Sequence, residues 1–253
     1  MKDYYSKLFF ENQMNVSLLT AEEVAPLVLQ YVRTDSVVDV GCGIGTWLSV
    51  FKKHGVSDIL GIDGDWVDKK MLLIPSDNFI MRDLAKPIEV GKIFDLVVSL
   101  EVAEHLHKEY AETFINSLTK LGNAVLFSAA IPNQGGKHHV NEQWPEYWAT
   151  LFNKHDFVLI DTLRKKIWNN PKVGCWYAQN IFLYVKKDLL NNNPILLKEY
   201  QTTDTTMLSL VHPQLFLAEM ERYQELRKNY DLIKKALLPV WWLGKLTKKL
   251  FQK

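Results

Sequence analysis

Across residues 37–46, reading Val-Val-Asp-Val-Gly-Cys-Gly-Ile-Gly-Thr, an acid precedes three glycines at alternate positions. Glycine costs about 0.5–1 kcal/mol in regular structure, so three in five positions need a reason, and close approach of bare backbone to a ligand is one. A dinucleotide fingerprint spaces its glycines Gly-x-Gly-x-x-Gly and holds a pyrophosphate at the helix that follows. Here the run is Gly41-x-Gly43-x-Gly45, with Asp39 just ahead of it. An anion facing such a turn repels a pyrophosphate and suits a cation. S-adenosylmethionine carries a sulfonium and an ammonium group, and is the ligand this cradle fits; Cys42 and Thr46 join it as cofactor-binding candidates.

Further polar residues follow at useful intervals. Asp63, followed by Gly64, stands about 20 residues past the glycines, where an acid accepts ribose hydroxyls; Asp65 is its neighbour, with a turn or cap as its plainer role. Asp83 is placed to accept an adenine amine while Leu84 covers the ring face. Glu101, Glu104 and His105 come directly after an apolar run, at the carboxyl edge where open α/β sheets bind ligands. Residues 132–148 combine Gly135-Gly136 with His138, His139, Asn141, Gln143, Trp144 and Trp148. Sugars are bound by such mixtures, because hydroxyls need donors and acceptors while C–H faces pack on aromatic rings. Methylating an alcohol removes its proton, and imidazole is the group whose pKa lies nearest neutrality, so His138 or His139 is the expected base. His105 has a second reading, as support for the cofactor loop. No metal is expected, since adjacent histidines point apart and no third ligand stands at a useful spacing. Trp168, Trp176 and Tyr177 either line an acceptor pocket or cover the sheet edge.

The elements that hold these residues are legible in the pattern. Thr20-Ala-Glu-Glu reads as the start of a helix whose Val24, Leu27, Val28 and Tyr31 share a face, with Pro26 as a kink. The glycine-loop strand follows Asp35, then a helix through Trp47, Leu48, Val50 and Phe51 closed by Gly55. Strands are expected over 58–63, 78–82, 94–100, 124–131, 157–161 and 180–185, and a helix opening at His105. Trp144 and Trp148 are spaced to share one helical face, with core packing as the alternative.

Asp39-Val-Gly41-Cys-Gly43-Ile-Gly45, the acid at Asp63, Arg82-Asp83-Leu84 and Glu101-Val-Ala-Glu104-His105-Leu106 together resemble the class I S-adenosylmethionine-dependent methyltransferases over roughly residues 20–187. The resemblance implies an α/β fold, a Rossmann-like seven-stranded, mostly parallel sheet with its last strand reversed. The His-His and Glu-Gln-Trp-Pro segment, with the stretch from Ile167 to Asn180, is similar to methyltransferases of bacterial capsule and surface-polysaccharide biosynthesis. That similarity raises a sugar, a nucleotide-activated sugar or a sugar-linked phosphoramidate above other acceptors. Methylation of a nitrogen, a phospho group or another small molecule, and a non-catalytic binding subunit, are the rivals.

At 253 residues with 47% hydrophobic composition, the chain can bury a large core and carry an appendage. A net charge of +1 with mixed signs gives no global reason to expect nucleic acid. The two cysteines, Cys42 and Cys175, suggest neither a disulfide framework nor a metal pair, and a reducing cytoplasm is the expected home. The division expected is a methyltransferase domain over 1–187, with an N-terminal helical lid whose Tyr4, Tyr5, Phe9 and Phe10 serve packing or cover a site, and a helical extension over 188–253. In the extension Phe216, Met220, Tyr223, Leu226, Tyr230 and Ile233 recur at helical spacing. Its tail adds Trp241, Trp242, Leu246, Leu250 and Phe251 among lysines, which suits ordinary packing or homodimerisation, with peripheral contact with a membrane surface as the alternative.

Overall fold

A computed structural model describes residues 7–250, with side-chain detail for 15–235. The side chains of Tyr4, Tyr5, Phe9 and Phe10, and those of the aromatic tail from Trp241 onward, lie outside the described residues. Seven strands form one sheet in the order β3-β2-β1-β4-β5-β7-β6. They are β1 (Ser36–Val40), β2 (Asp58–Asp63), β3 (Phe79–Met81), β4 (Leu96–Leu100), β5 (Ala124–Ser128), β6 (Phe157–Ile160) and β7 (Phe182–Lys186). The pairs from β3 to β5 are parallel, whereas β7 runs antiparallel to both β5 and β6. This is the class I methyltransferase sheet that the resemblance implies.

The sheet is covered on both faces, which is why its strands read as apolar runs rather than alternating ones. Val37 packs into one core with α1 (Lys7–Leu29) and α2 (Thr46–Lys53); Val38 and Val40 pack into the other with α3 (Ala111–Leu121) and α4 (Pro145–Asn153). Each such side chain fully buried contributes roughly 1.5–3 kcal/mol. Trp148 lies in the second core against Phe127, with ring centroids 5.4 Å apart, while Trp144 is outside the helix and 40% exposed. The i, i+4 pair is therefore split: Pro145 starts α4, so only Trp148 is on its inner face.

Two helix starts differ from the sequence expectation. Thr20 is not a cap but an interior residue of α1, buried, with its Oγ1 accepting from the Gly174 N–H at 3.0 Å. Pro26 sits inside α1. His105 does not open a helix; it ends a single tight turn (Ala103–His105), and α3 begins at Ala111. That turn keeps Glu104 and His105 at the sheet edge.

Between β6 and β7 come α5 (Arg164–Ile167) and α6 (Cys175–Asn180), and after β7 come α7 (Lys187–Asn191) and α8 (Pro194–Gln201). The compositional break expected after Lys187 falls ahead of the boundary between compact units, which lies between His212 and Pro213. The reason is burial: Leu190 and Leu196 enter the first core and Leu208 the second. Arg164 secures this stretch. It holds Asp161 through Nε (2.9 Å) and Nη2 (2.5 Å), and donates to the carbonyls of Leu208 (2.7 Å), Met207 (3.1 Å) and Gln179 (3.3 Å).

The second unit contains α9 (Pro213–Leu250), on which Phe216, Met220, Tyr223, Leu226, Tyr230 and Ile233 are all exposed. Among the described residues no helix is long and apolar enough to cross a membrane.

Candidate active site

The glycine turn leaves β1 and is tied at once to β2: the N–H groups of Gly41 and Cys42 donate to the Ile62 carbonyl at 2.7 and 3.2 Å. Gly41 has φ +86, and a Cβ there would lie 2.3 Å from Val102. Gly43 has φ +54 but open space where its Cβ would be. The first glycine is required by packing, and the second presents bare backbone to a cavity.

That cavity, about 180 Å³, is lined by Asp39, Gly41, Cys42, Gly43, Thr46 and Glu101, all expected from the sequence, and by Ser17, Ile44, Trp47, Leu100 and Tyr177. Asp39 is 2% exposed, and its Oδ2 is buried without a hydrogen-bond partner. Burial first, and the Asp63 charge second, push its carboxyl well above the ordinary range. A buried acid with an unused oxygen beside bare backbone is a receptor for a cationic donor group, such as the ammonium of S-adenosylmethionine. The residues present fit that cofactor. Burial also raises the Cys42 thiol, so Cys42 acts as a small neutral wall.

Asp63, buried at the end of β2, spends one hydrogen bond of each oxygen on backbone: Oδ2 accepts from Gly43 N–H at 2.6 Å and Oδ1 from Gly64 N–H at 2.7 Å. Burial raises its pKa against those bonds. It braces the glycine turn, and each oxygen keeps a lone pair for a ribose hydroxyl. Trp66 folds over Gly64, where an added Cβ would meet its ring at 2.1 Å. Asp83 is exposed in a turn, accepting from Ala85 N–H and pairing with Lys86 at 3.3 Å. Leu84 is buried in the core with Ile62 and Ile88.

Tyr177, expected from sequence either to line an acceptor pocket or to cover the sheet edge, lines this cavity beside the glycine turn. Its hydroxyl meets Ser17 Oγ at 3.1 Å, and burial pushes its pKa up to about 12. Ser17 belongs to α1, so the N-terminal helix contributes a wall. Trp176 packs on Tyr177 and partly into the core. Trp168 is elsewhere, against His212 with ring centroids 4.8 Å apart, in a separate hollow with Arg164 and Met207.

At the end of β4, Glu101 adopts φ +55, a strained conformation for a non-glycine residue. Its carboxylate is held by Asn180 Nδ2 at 3.1 Å and Gln134 Nε2 at 3.0 Å, and Gln134 Oε1 in turn accepts from Asn180 at 2.8 Å. Sequence reasoning missed Asn180 and Gln134. The only trace was an amide pair, Gln179-Asn180, leading into the final strand. Burial raises the Glu101 pKa above the usual carboxylate value despite these donors.

The loop over 132–144 is folded down onto this edge by backbone bonds: Val140 and Asn141 N–H donate to the Glu104 carbonyl at 2.8 and 3.0 Å, and Gln143 N–H to the Ala130 carbonyl at 3.2 Å. Asn141 is buried and its Oδ1 accepts from Gln143 Nε2 at 3.0 Å. Glu142 organises the loop, accepting from Asn133 and Gly135 N–H and meeting His139 Nδ1 at 2.9 Å. His138, with φ +61, is exposed. The His105 and His139 rings make an edge contact at 4.8 Å. Burial and the neighbouring His139 hold His105 below the ordinary imidazole range, although part of the residue reaches solvent. The sequence argument that the histidines lack a third metal ligand is corrected here: Glu104, His105 and His139 bring donor atoms within 4.8 Å of one another. Spacing along the chain concealed it, because His139 comes to the turn from 34 residues beyond His105.

Sheet order and cavity together define a class I methyltransferase fold. A family model described as "Methyltransferase domain" matches residues 13–167, and the chain belongs to that family, with S-adenosylmethionine as its cofactor. Among solved structures, DesVI of Streptomyces venezuelae is 15% identical with a TM-score of 0.53, covering 71% of this chain and 95% of its own. Magnesium protoporphyrin IX methyltransferase of Synechocystis PCC 6803, with bound S-adenosylhomocysteine, is 17% identical with a TM-score of 0.51, covering 73% and 90%. The ribosomal protein L11 methyltransferase of Thermotoga neapolitana is 37% identical over 79 residues, 28% of this chain and 29% of that relative's length.

Proposed function

We propose that this protein transfers a methyl group from S-adenosylmethionine to a hydroxyl of a sugar, a nucleotide-activated sugar or a sugar-linked phosphoramidate precursor in surface-polysaccharide biosynthesis. The observation that carries the reading is Asp39, which lines the same cavity as Gly41 and Gly43 and keeps a buried oxygen without a hydrogen-bond partner. When bound, the cofactor supplies an electrophilic methyl group on its sulfonium. Asp39 and the glycine backbone would hold its cationic end and Asp63 its ribose, while Tyr177 and Ser17 wall off water. The acceptor enters from the edge covered by residues 132–144, where Asn141, Gln143 and Trp144 offer the polar and aromatic mix that carbohydrates require. Its proton goes to one of His138 and His139. In such in-line transfer most of the rate comes from positioning, so losing the base costs less than losing Asp39.

Calorimetry with S-adenosylhomocysteine comes first, followed by transfer of labelled methyl to a panel of nucleotide sugars and simple amines. Micromolar binding with label on a sugar oxygen supports the proposal. No binding points to a non-catalytic fold, and label on amines alone to N-methylation. The expectation of a homodimer or a peripheral membrane contact rests on α9 and the tail; sedimentation with and without anionic vesicles separates them.

A further inference from the structure

We infer that Glu104, His105 and His139 form a binding site for one divalent transition-metal ion at the acceptor side of the methyl-donor cavity. The donor set is two imidazoles and a carboxylate, with ligand atoms within 4.8 Å of one another. An independent observation points to an occupant: Glu104 is 0% exposed, neither of its carboxyl oxygens has a hydrogen-bond partner of good geometry, and burial first, then the Glu101 charge, push its carboxyl well above the ordinary range. Such a group is costly to bury unless it is paired or coordinates a metal. Small side-chain rotations bring these atoms to the roughly 2.0–2.2 Å at which imidazole and carboxylate bind such ions.

Both imidazoles are already oriented as metal ligands usually are. His139 Nδ1 is engaged by Glu142 at 2.9 Å, which directs Nε2 as the ligating nitrogen, and Glu142 is itself held by the loop backbone of Asn133 and Gly135. The His105 ring is hydrogen-bonded to the His138 backbone, which orients it in the same manner. The backbone bonds from Val140 and Asn141 to the Glu104 carbonyl fasten the loop's histidine to the turn's two ligands. Three protein ligands from one side leave coordination positions open. Two nitrogens and an oxygen favour Mn²⁺, Fe²⁺, Co²⁺ or Zn²⁺ over Mg²⁺, whose preference is all-oxygen.

The site deepens the proposed function and rests on it for its role. Glu101 lines the cavity and its charge acts on Glu104, so an ion bound here lies next to the methyl-donor pocket. Open positions on that ion suit an acceptor with two neighbouring oxygens, such as a vicinal diol or a hydroxyl beside a phosphate. His139 is then a ligand, and the role of base passes to His138.

The test is equilibrium dialysis of the full chain against Mn²⁺, Co²⁺, Zn²⁺ and Mg²⁺ separately, with the visible spectrum of the Co²⁺ form as a signature of nitrogen ligation. One ion per chain is expected, bound more tightly for Co²⁺ and Zn²⁺ than for Mn²⁺ and more weakly still for Mg²⁺. Glu142→Gln, which keeps all three ligands, should weaken binding by roughly 10–100-fold, and His139→Ala should weaken it at least as much. Should Glu104→Gln fail to fold, those two loop variants still decide the matter. Retention of no ion, or equal binding by wild type and His139→Ala, overturns the inference. S-adenosylhomocysteine titration of the same samples separates the two claims: cofactor binding without metal sinks only this site, and metal without cofactor binding sinks the methyltransferase reading.

Discussion

At the scale of single residues, Asp39 concentrates the site's electrostatics. Asp39→Asn keeps the shape and removes the charge, and a hydrogen bond to a charged group is worth about 1.5–3 kcal/mol. S-adenosylhomocysteine affinity should therefore fall roughly 10–150-fold, while thermal stability holds or rises because a poorly solvated acid is gone. Calorimetry and a melt read the two effects separately. The same acid gives the protein a pH signature. Asp39 and Asp63 both have raised pKa values, chiefly through burial. A raised folded-state pKa means the native state holds the proton more tightly than the unfolded chain, so the contribution is full in acid and is lost as pH rises through the raised values. The ligand-free melting temperature should fall over that interval above the usual carboxylate range. The rise in melting temperature on adding S-adenosylhomocysteine should grow over it, and Asp39→Asn should flatten both trends.

Glycine positions in one turn separate packing from function. Gly43→Ala places a methyl in open space at φ +54, with a left-handed cost of about 1–2 kcal/mol. Gly41→Ala adds to a similar cost a clash with Val102 at 2.3 Å. The expected outcome is a folded Gly43→Ala that binds S-adenosylhomocysteine weakly, and a Gly41→Ala with a much lower melting temperature. Equal destabilisation by both would show that Gly43 does not face the ligand.

Elements are held in register by a few buried polar groups, and among the described residues Arg164 is one that joins several segments. Its guanidinium ties α5 to Asp161 and to the carbonyls of Met207, Leu208 and Gln179, and stacks 4.3 Å from the Phe182 ring. Removing one partner of a buried ion pair leaves the other uncompensated, so Arg164→Ala should cost roughly 3–5 kcal/mol in denaturant titration. Because Gln179 adjoins Asn180, which holds Glu101, the same variant should lower transfer activity in the fraction that remains folded. At this scale the sequence was a good guide to strands, whose apolar runs are local properties, and a poorer one to helix starts. Thr20 has the chemistry of a cap, but its hydroxyl is taken by Gly174, 154 residues away. His105 follows a strand as a helix opener would, but the turn it ends is a single one.

For the whole molecule, every cavity residue precedes His212, the last residue of the first compact unit. A chain ending at His212 should bind S-adenosylhomocysteine as the full chain does, whereas one ending at Lys187 should unfold, since Leu190, Leu196 and Leu208 then leave gaps in both cores. Far-ultraviolet dichroism with calorimetry checks both.

The seven-stranded sheet with its reversed last strand was implied by the resemblance to class I methyltransferases; the strand positions and the acid-glycine turn were legible in the apolar runs and the motif. These follow from local periodicity and from contiguous motifs that carry their own geometry. Tertiary structure alone decided that Tyr177 walls the cavity beside the glycine turn, that Trp168 lies apart, that Asn180 and Gln134 hold Glu101, and that His139 meets Glu104 and His105. Each of these depends on chain segments brought together across tens of residues by burial of the sheet's two faces, and no spacing along the chain encodes that closure.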